Sequence, residues 1–472
     1  MPFLSEKRAV HLREELQNTR AKVVTPEDEQ YPGLISRWSE ASEREAGAVV
    51  LVTSSYEVSL AVAYATQHAI PFVVQGGGHS TSGASSTHGG IVISLSAMRH
   101  ILVDSASATV AVQGGATWEE VDAATAREKL AVVGCTNSAL SVGGTTLGGG
   151  FGWLTGRHGL VIDNLLSIKM VLADGRIVTA SATDNPELFW AARGAGQSFG
   201  VATEFVLRAY PQRGPVFGGL LYLPADRLGS VVEFANGFDE RATGDEGLFF
   251  GFTTRPPDMP STVIVALLFY NGPRADAQEF FAPLLSLGPI KDETRVMPYP
   301  EMNSIIAHLA GPGARKRVDG TAVCLPLDTG RLQEVYEDFD QIMRSCPRVE
   351  GSTAFFELLP YTRVTQVPFD ATAYANRGPY HNAAVIFRWN DPALDAKMAS
   401  LERGLLRKIR ECGSLPSIPA QGVEVYANYA GHEYDARELF GDNLPHLLEL
   451  KKRYDPKNVF RKWHNLNPIG SA

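Results

Sequence analysis

The chain has 472 residues, more than one hydrophobic core usually organises, so two domains or one large composite body are expected. Apolar content of 44%, charged content of 20% and 45 glycines describe a globular, glycine-rich chain and exclude disordered and fibrous classes. A net charge of −9 with both signs interspersed offers no stripe for a phosphate backbone, so nucleic acid is not an expected partner. The N-terminus becomes charged at Glu6-Lys7-Arg8 before any apolar run develops, and no stretch reaches bilayer-spanning length, so a soluble, cytoplasmic chain with no membrane partner is expected.

In chain order, a charged helical start leads into a strand at Ala48-Val-Val-Leu-Val-Thr53, a helix from Tyr56 to His68 and a strand at Pro71-Phe-Val-Val74. Short apolar runs at Gly90–Leu95, Ile101–Asp104 and Thr109–Val112 read as strands, the last two forming a hairpin around Ser105-Ala-Ser107. Thr117-Trp-Glu-Glu120 is a capping box, predicting a helix to about Lys129. Between about 215 and 420, longer amphipathic helices alternate with strands such as Ser261–Leu268 and Ala383–Trp389, the texture of a sheet covered by helices. Over 331–345, Leu332, Val335, Phe339, Ile342 and Met343 recur at helical spacing and are assigned to core packing. Cys135, Cys324, Cys346 and Cys412 are far apart with no CxxC pair, which argues against a zinc site or a disulfide framework; no metal is expected.

The densest chemical signal is Gln75-Gly-Gly-Gly-His79-Ser80, directly after a strand. Gly76, Gly77 and Gly78 let the backbone approach a ligand's phosphates, and His79 adds a nucleophile to that cradle. A second cluster runs Gly143-Gly144-Thr-Thr-Leu-Gly148-Gly149-Gly150-Phe-Gly152. A third, Arg193-Gly194-Ala-Gly196-Gln-Ser-Phe-Gly200, misses the dinucleotide spacing by one residue and lacks a βαβ context, so a Rossmann NAD site is not supported.

These motifs, with Arg157-His158-Gly-Leu160, Asp163-Asn164, Pro186–Gly196, Tyr426-Ala-Asn428-Tyr429 and Tyr454-Asp-Pro-Lys-Asn-Val-Phe460, occur in one order. The chain resembles the vanillyl-alcohol-oxidase type of FAD-linked oxidases, in its berberine-bridge-enzyme-like branch, from about residue 45 to the end. The resemblance is dense over the first 160 residues of that span and weak between about 215 and 415. It implies an α+β, two-domain FAD-binding fold of the PCMH type, with an inserted substrate domain of antiparallel sheet and helices. The FAD domain would comprise 1–210 and a C-terminal return over 419–472, with the substrate domain over 211–418.

The resemblance further implies FAD held covalently through His79, with Gly76, Gly77, Gly78, Ser80, Gly143, Gly144, Gly148, Gly149, Gly150, Gly152, Val201 and Asn428 around it. Some relatives carry a second, cysteinyl link. Cys135 stands in that region but two residues before the expected position, held here by Asn137, so one link is preferred and the second kept as the alternative. Tyr429, then Tyr426, are the expected bases, with Arg388, His381 or Arg363 as stabilising neighbours. Glu357, on an expected strand, is the alternative base or a substrate contact, against a plain reading as a solvated carboxylate. His158 and Gln75 depart from the family pattern, and Leu140 lies near its oxygen-gating position. The implied activity is hydride transfer from an alcohol, sugar hemiacetal or amine of a small molecule to FAD, with O2 as acceptor. A dehydrogenase with another acceptor and a non-redox cyclase or scaffold are the alternatives.

Overall fold

The structure, a computed structural model, describes residues 4–254, 262–346, 348–413, 423–431 and 433–467. Among them the chain builds three sheets with helices packed against them. The first contains β1 (Lys22–Val24), β2 (Ala48–Leu51), β3 (Phe72–Gln75) and β4 (Ile91–Ser94), in the order β1-β2-β4-β3. β2, β4 and β3 run parallel, and their near-continuous apolar residues are buried on both faces as parallel strands require. The crossover from β2 to β3 is the helix Ser55–Gln67, started by the Ser54 hydroxyl accepting from the Glu57 N–H. Strand β3 ends at Gln75, which delivers the glycine-rich loop and His79 at the sheet's edge.

The second sheet holds β5 (Ile101–Asp104), β6 (Thr109–Gln113), β7 (Leu130–Val132), β8 (Leu165–Val171), β9 (Ile177–Ser181) and β10 (Val201–Pro211). β5 and β6 form the expected hairpin, Asp104 opposite Thr109. The capping box starts a helix over Trp118–Arg127. It stops two residues short of the expected Lys129 because Lys129 takes a left-handed φ of 58°, a conformation that ends helices.

The third sheet joins β11 (Val216–Leu223), β12 (Glu246–Thr253), β13 (Val263–Tyr270), β14 (Lys291–Asp292), β15 (Arg295–Met297), β16 (Arg315–Val323), β17 (Thr353–Leu358) and β18 (His381–Trp389), all antiparallel. Of the strand expected from Ser261, Ser261 lies outside the described residues and β13 runs on to Tyr270. Side chains alternate across this sheet. Leu248, Phe250, Phe356 and Val385 face a core shared with the helices Thr329–Ser345 and Asp395–Cys412, while Phe249, Phe355, Glu357 and Ile386 face the opposite way. The first of those helices begins two residues early because Asp328 caps the Arg331 N–H at 2.8 Å. It buries Leu332, Val335, Phe339 and Ile342, with Met343 half-buried at the edge.

The C-terminal segment packs back on the first half of the chain: Tyr426, Leu439, Leu447, Leu450 and Leu466 share a core with Val110, Trp118, Phe199 and Phe205. Lys451, fully buried, fastens it. Its Nζ donates to Asp455 at 2.7 Å, to the Ser198 carbonyl at 2.6 Å and to the Phe460 carbonyl at 2.8 Å. Cys324, Cys346 and Cys412 are buried thiols, and no helix among the described residues is long and apolar enough to cross a membrane. Lys451→Met leaves the Asp455 carboxylate buried without its cation and is expected to cost about 3–5 kcal/mol, read as a lower denaturant midpoint by tryptophan fluorescence.

Candidate active site

A cavity of about 680 Å³ lies where these parts meet, within the roughly 300–1,000 Å³ range of cofactor and small-molecule sites. One wall is the loop after β3, Gly76 to Thr81; a second is the segment from Cys135 to Thr145. The third is the outward face of the third sheet, and the return segment Tyr426–Ala430 closes it. Of the residues singled out by sequence, His79, Gly76, Gly77, Gly78, Ser80, Cys135, Gly144, Glu357, Tyr426, Asn428 and Tyr429 line this space, as do Asn137 and Leu140.

His79 is enclosed beside Trp38, ring centroids 6.2 Å apart. Burial, helped by the nearby Lys316 charge, lowers its pKa to about 4, so the imidazole is neutral at physiological pH and keeps a free lone pair. Lys316 reaches the same corner, its Nζ donating to the carbonyls of Trp38 (2.8 Å) and Gly311 (2.6 Å). Burial pushes the Cys135 thiol up to about 11, which keeps it protonated.

Opposite, the Tyr429 hydroxyl donates to Glu357 Oε1 at 2.9 Å. Glu357 is 4% exposed, so the solvated-carboxylate reading does not hold. Burial, partly offset by the Tyr429 hydrogen bond, raises its pKa to about 8, and its Oε2 has no protein partner. In register directly across from Glu357 is Asn382, whose Oδ1 is also buried without a partner. Burial, and next the Glu357 charge, hold the Tyr429 phenol well above its ordinary value. Among the described residues no cation is bonded to it. Arg363 donates to the Arg157 carbonyl, His381 pairs with Asp239 at 3.0 Å, and the Arg388 side chain is exposed, so none of the three expected supports is bonded to Tyr429.

Tyr426 and Asn428 are engaged with the second glycine cluster. Tyr426 Oη accepts from the Gly150 N–H (3.2 Å) and from Asn428 Nδ2 (2.8 Å), which also donates to the Thr145 carbonyl at 3.0 Å. The rest of that cluster stands behind the wall: Gly148 lies against the Asn428 amide, Gly149 (φ 114°) against the Tyr374 ring, and Gly143 and Gly152 against the backbone of Gly114 and Gly134. Val201 opens β10 opposite Val171, its side chain buried in the core. His158 also faces away from the cavity, stacked on Tyr210 at 3.6 Å.

Sequence reasoning did not single out Ser141, Trp38 or Lys316. Ser141 directly precedes the second cluster and its Oγ accepts from the Gly77 N–H at 2.8 Å, joining the two glycine loops. Its place beside the motif was a usable signal. Trp38 and Lys316 meet only through tertiary structure.

Two features test the cavity for a bound dinucleotide. A Cβ on Gly76 would come within 2.8 Å of Ser141 Oγ and one on Gly77 within 2.9 Å of His79 Cδ2, so the loop is close-packed behind its exposed backbone. Gly144, on the facing wall, has nothing within 4 Å on its open side. These loops can cradle a flavin dinucleotide from two sides, with Ser80, Thr81, Ser141 and Thr145 supplying hydroxyls.

Comparisons with known proteins agree. Residues 46–181 match the family model described as an FAD binding domain, and residues 425–467 the one described as berberine and berberine like. The FAD-linked oxidoreductase pgmH of Aspergillus terreus is 35% identical over 98% of this chain and 97% of its own length. Berberine-bridge-enzyme-like 1 of Physcomitrella patens superposes with a TM-score of 0.83 at 20% identity, covering 98% of this chain and 100% of that one. Xylooligosaccharide oxidase of Myceliophthora thermophila does so with 0.82 at 22%, covering 98% and 100%. The protein belongs to the berberine-bridge-enzyme-like family of FAD-linked oxidoreductases and carries the PCMH-type fold. Its cofactor is FAD.

Gly149→Val places a branched side chain at φ 114° against the Tyr374 ring and is expected to cost at least about 1–3 kcal/mol. Its FAD-to-protein absorbance ratio should fall together with the thermal midpoint.

Proposed function

We propose that this chain is an FAD-dependent oxidase of a small organic alcohol, with the flavin tethered through His79, Glu357 as the base and O2 as the final electron acceptor. The observation that carries the reading is the Tyr429–Glu357 hydrogen bond, which leaves Glu357 Oε2 partnerless at a cavity whose facing wall bears His79. Bound FAD supplies the two-electron acceptor. Glu357 takes the hydroxyl proton as the substrate C–H is broken, and burial strengthens it as a base once it is ionised. Tyr429 orients Glu357 by donating to Oε1. It is a weaker base itself, because an unrelieved buried phenol stays protonated.

The neutral imidazole of His79 supports nucleophilic attachment of the flavin, whereas the protonated thiol of Cys135 favours a single link. Asn428 and Tyr426 support the glycine loop beside the cofactor, and sugar hemiacetals and amines remain within the same proton-transfer chemistry. Leu140, a bulky residue on the cavity wall, favours a second reading: a dehydrogenase whose reduced form reacts slowly with O2.

Four measurements test this. Acid-denatured wild type should keep its yellow colour and His79→Ala should lose it, with Cys135→Ala unchanged. Glu357→Gln should lower kcat/KM by about 10²–10⁴-fold, the usual worth of a general base. Glu357 carries a proton below its raised pKa and can accept one above it, so wild-type kcat/KM should climb with pH and level off above about 8. A flat profile in wild type would remove Glu357 from the role, and reduced enzyme stable in air would favour the dehydrogenase.

A further inference from the structure

The part of the cavity facing the third sheet differs in character from the hydroxyl-rich glycine loops. The register sets its residues in rows. Phe249 and Leu267 share Glu357's row; Tyr222, Val265 and Phe355 occupy the next; Ile386 and Val318 lie in the third. Among the described lining residues there is one carboxylate, Glu357, and no lysine or arginine. The third row also holds Thr253 and Thr353, but their hydroxyls already donate to backbone carbonyls: Thr353 to Phe252 at 2.9 Å, Thr253 to Ser352 at 3.2 Å. Polar capacity on this face is therefore sparse: the partnerless Glu357 Oε2 stands at one end, and the Tyr222 phenol lies in the middle row.

We infer that the substrate is an uncharged, flat, largely apolar ring compound that presents a single hydroxyl to Glu357 and lays its body along this sheet. The assignment rests on the reading of Glu357 as the base. From Glu357 to Thr353 is four residues of one strand, about 13 Å at 3.3 Å per residue, which is the length of two or three fused rings. Phe355, half-buried on this face, offers a ring surface to stack on. An oligosaccharide does not suit this wall, since its many hydroxyls would lose water and meet few unengaged polar atoms. In the reaction, the carbinol C–H hydrogen leaves with its electron pair to FAD, the O–H proton passes to Glu357, and the carbon becomes a carbonyl.

The test uses the holoenzyme under anaerobic conditions with 2-naphthylmethanol and, as the contrasting probe, cellobiose. Expected is bleaching of the flavin by the naphthyl alcohol and not by the disaccharide. In Glu357→Gln, saturable perturbation of the flavin spectrum by 2-naphthylmethanol should report binding without turnover. In wild type, Val265→Asn should raise KM for the naphthyl alcohol on the order of tenfold, with kcat within about twofold. Saturable binding of the naphthyl alcohol to wild type without bleaching would uphold this substrate class while removing the oxidase reading. Bleaching by cellobiose with no binding of the aromatic alcohol, or no binding of either, would overturn the assignment.

Discussion

The active cavity depends on the C-terminal segment being held against the first two hundred residues. Its wall comes from the loop after β3, the second glycine cluster, the third sheet and residues 426–430, and no one stretch encloses it. Burial of Leu447, Leu450 and Leu466 supplies the non-directional attraction for this return. Direction comes from two polar devices: the buried Lys451–Asp455 pair with its two carbonyl acceptors, and Tyr426, whose hydroxyl takes the Gly150 N–H. A buried ion pair adds little net stability over a well-packed apolar pair, but it penalises alternative dockings that leave either charge alone. That suits a segment whose position must be right to within hydrogen-bonding distance.

The third sheet serves two solvents at once. One face is a dry core with two long helices, and the other borders the cavity. Strict alternation along β17 puts Phe356 in the core and Phe355 and Glu357 on the cavity side, so a carboxyl group is carried on a rigid strand rather than a loop. The desolvation that makes such a carboxylate costly also raises its proton affinity, the property that its proposed role as a base would use. Tyr429 then fixes one oxygen and leaves the other available.

The parts legible in the sequence were those with local causes. The β2-helix-β3 unit, the β5–β6 hairpin, the Thr117–Glu120 capping box and the apolar stripe at Leu332, Val335, Phe339 and Ile342 follow from run length, caps and period, and each is found. The glycine-rich loops were legible as a site because no regular element uses glycine so densely. What sequence could not supply was long-range pairing. Tyr429 meets Glu357 across 72 positions and Lys316 meets Trp38 across 278, and no local pattern encodes either contact. The same gap meant that Tyr429 and Glu357 had to be ranked as bases without knowing their partners. The phenol's supporting cation was sought in Arg388, His381 and Arg363, and their partners could only be known once the sheet register was known. The glycines of 143–152 look alike in sequence, yet Gly144 faces the cavity while Gly149 packs on Tyr374.

A wall assembled from both ends of the chain also orders events during synthesis. When residue 210 has left the ribosome, the two glycine loops exist but lack the Tyr426–Ala430 side, and the third sheet has yet to form. When β18 is complete the cavity is still open along the edge that the return will cover, with Phe355 and Ile386 on its unclosed wall. FAD can be fully enclosed only after the final fifty or so residues emerge, which makes cofactor capture a closing step of maturation and leaves the nascent chain with a sticky apolar face until then.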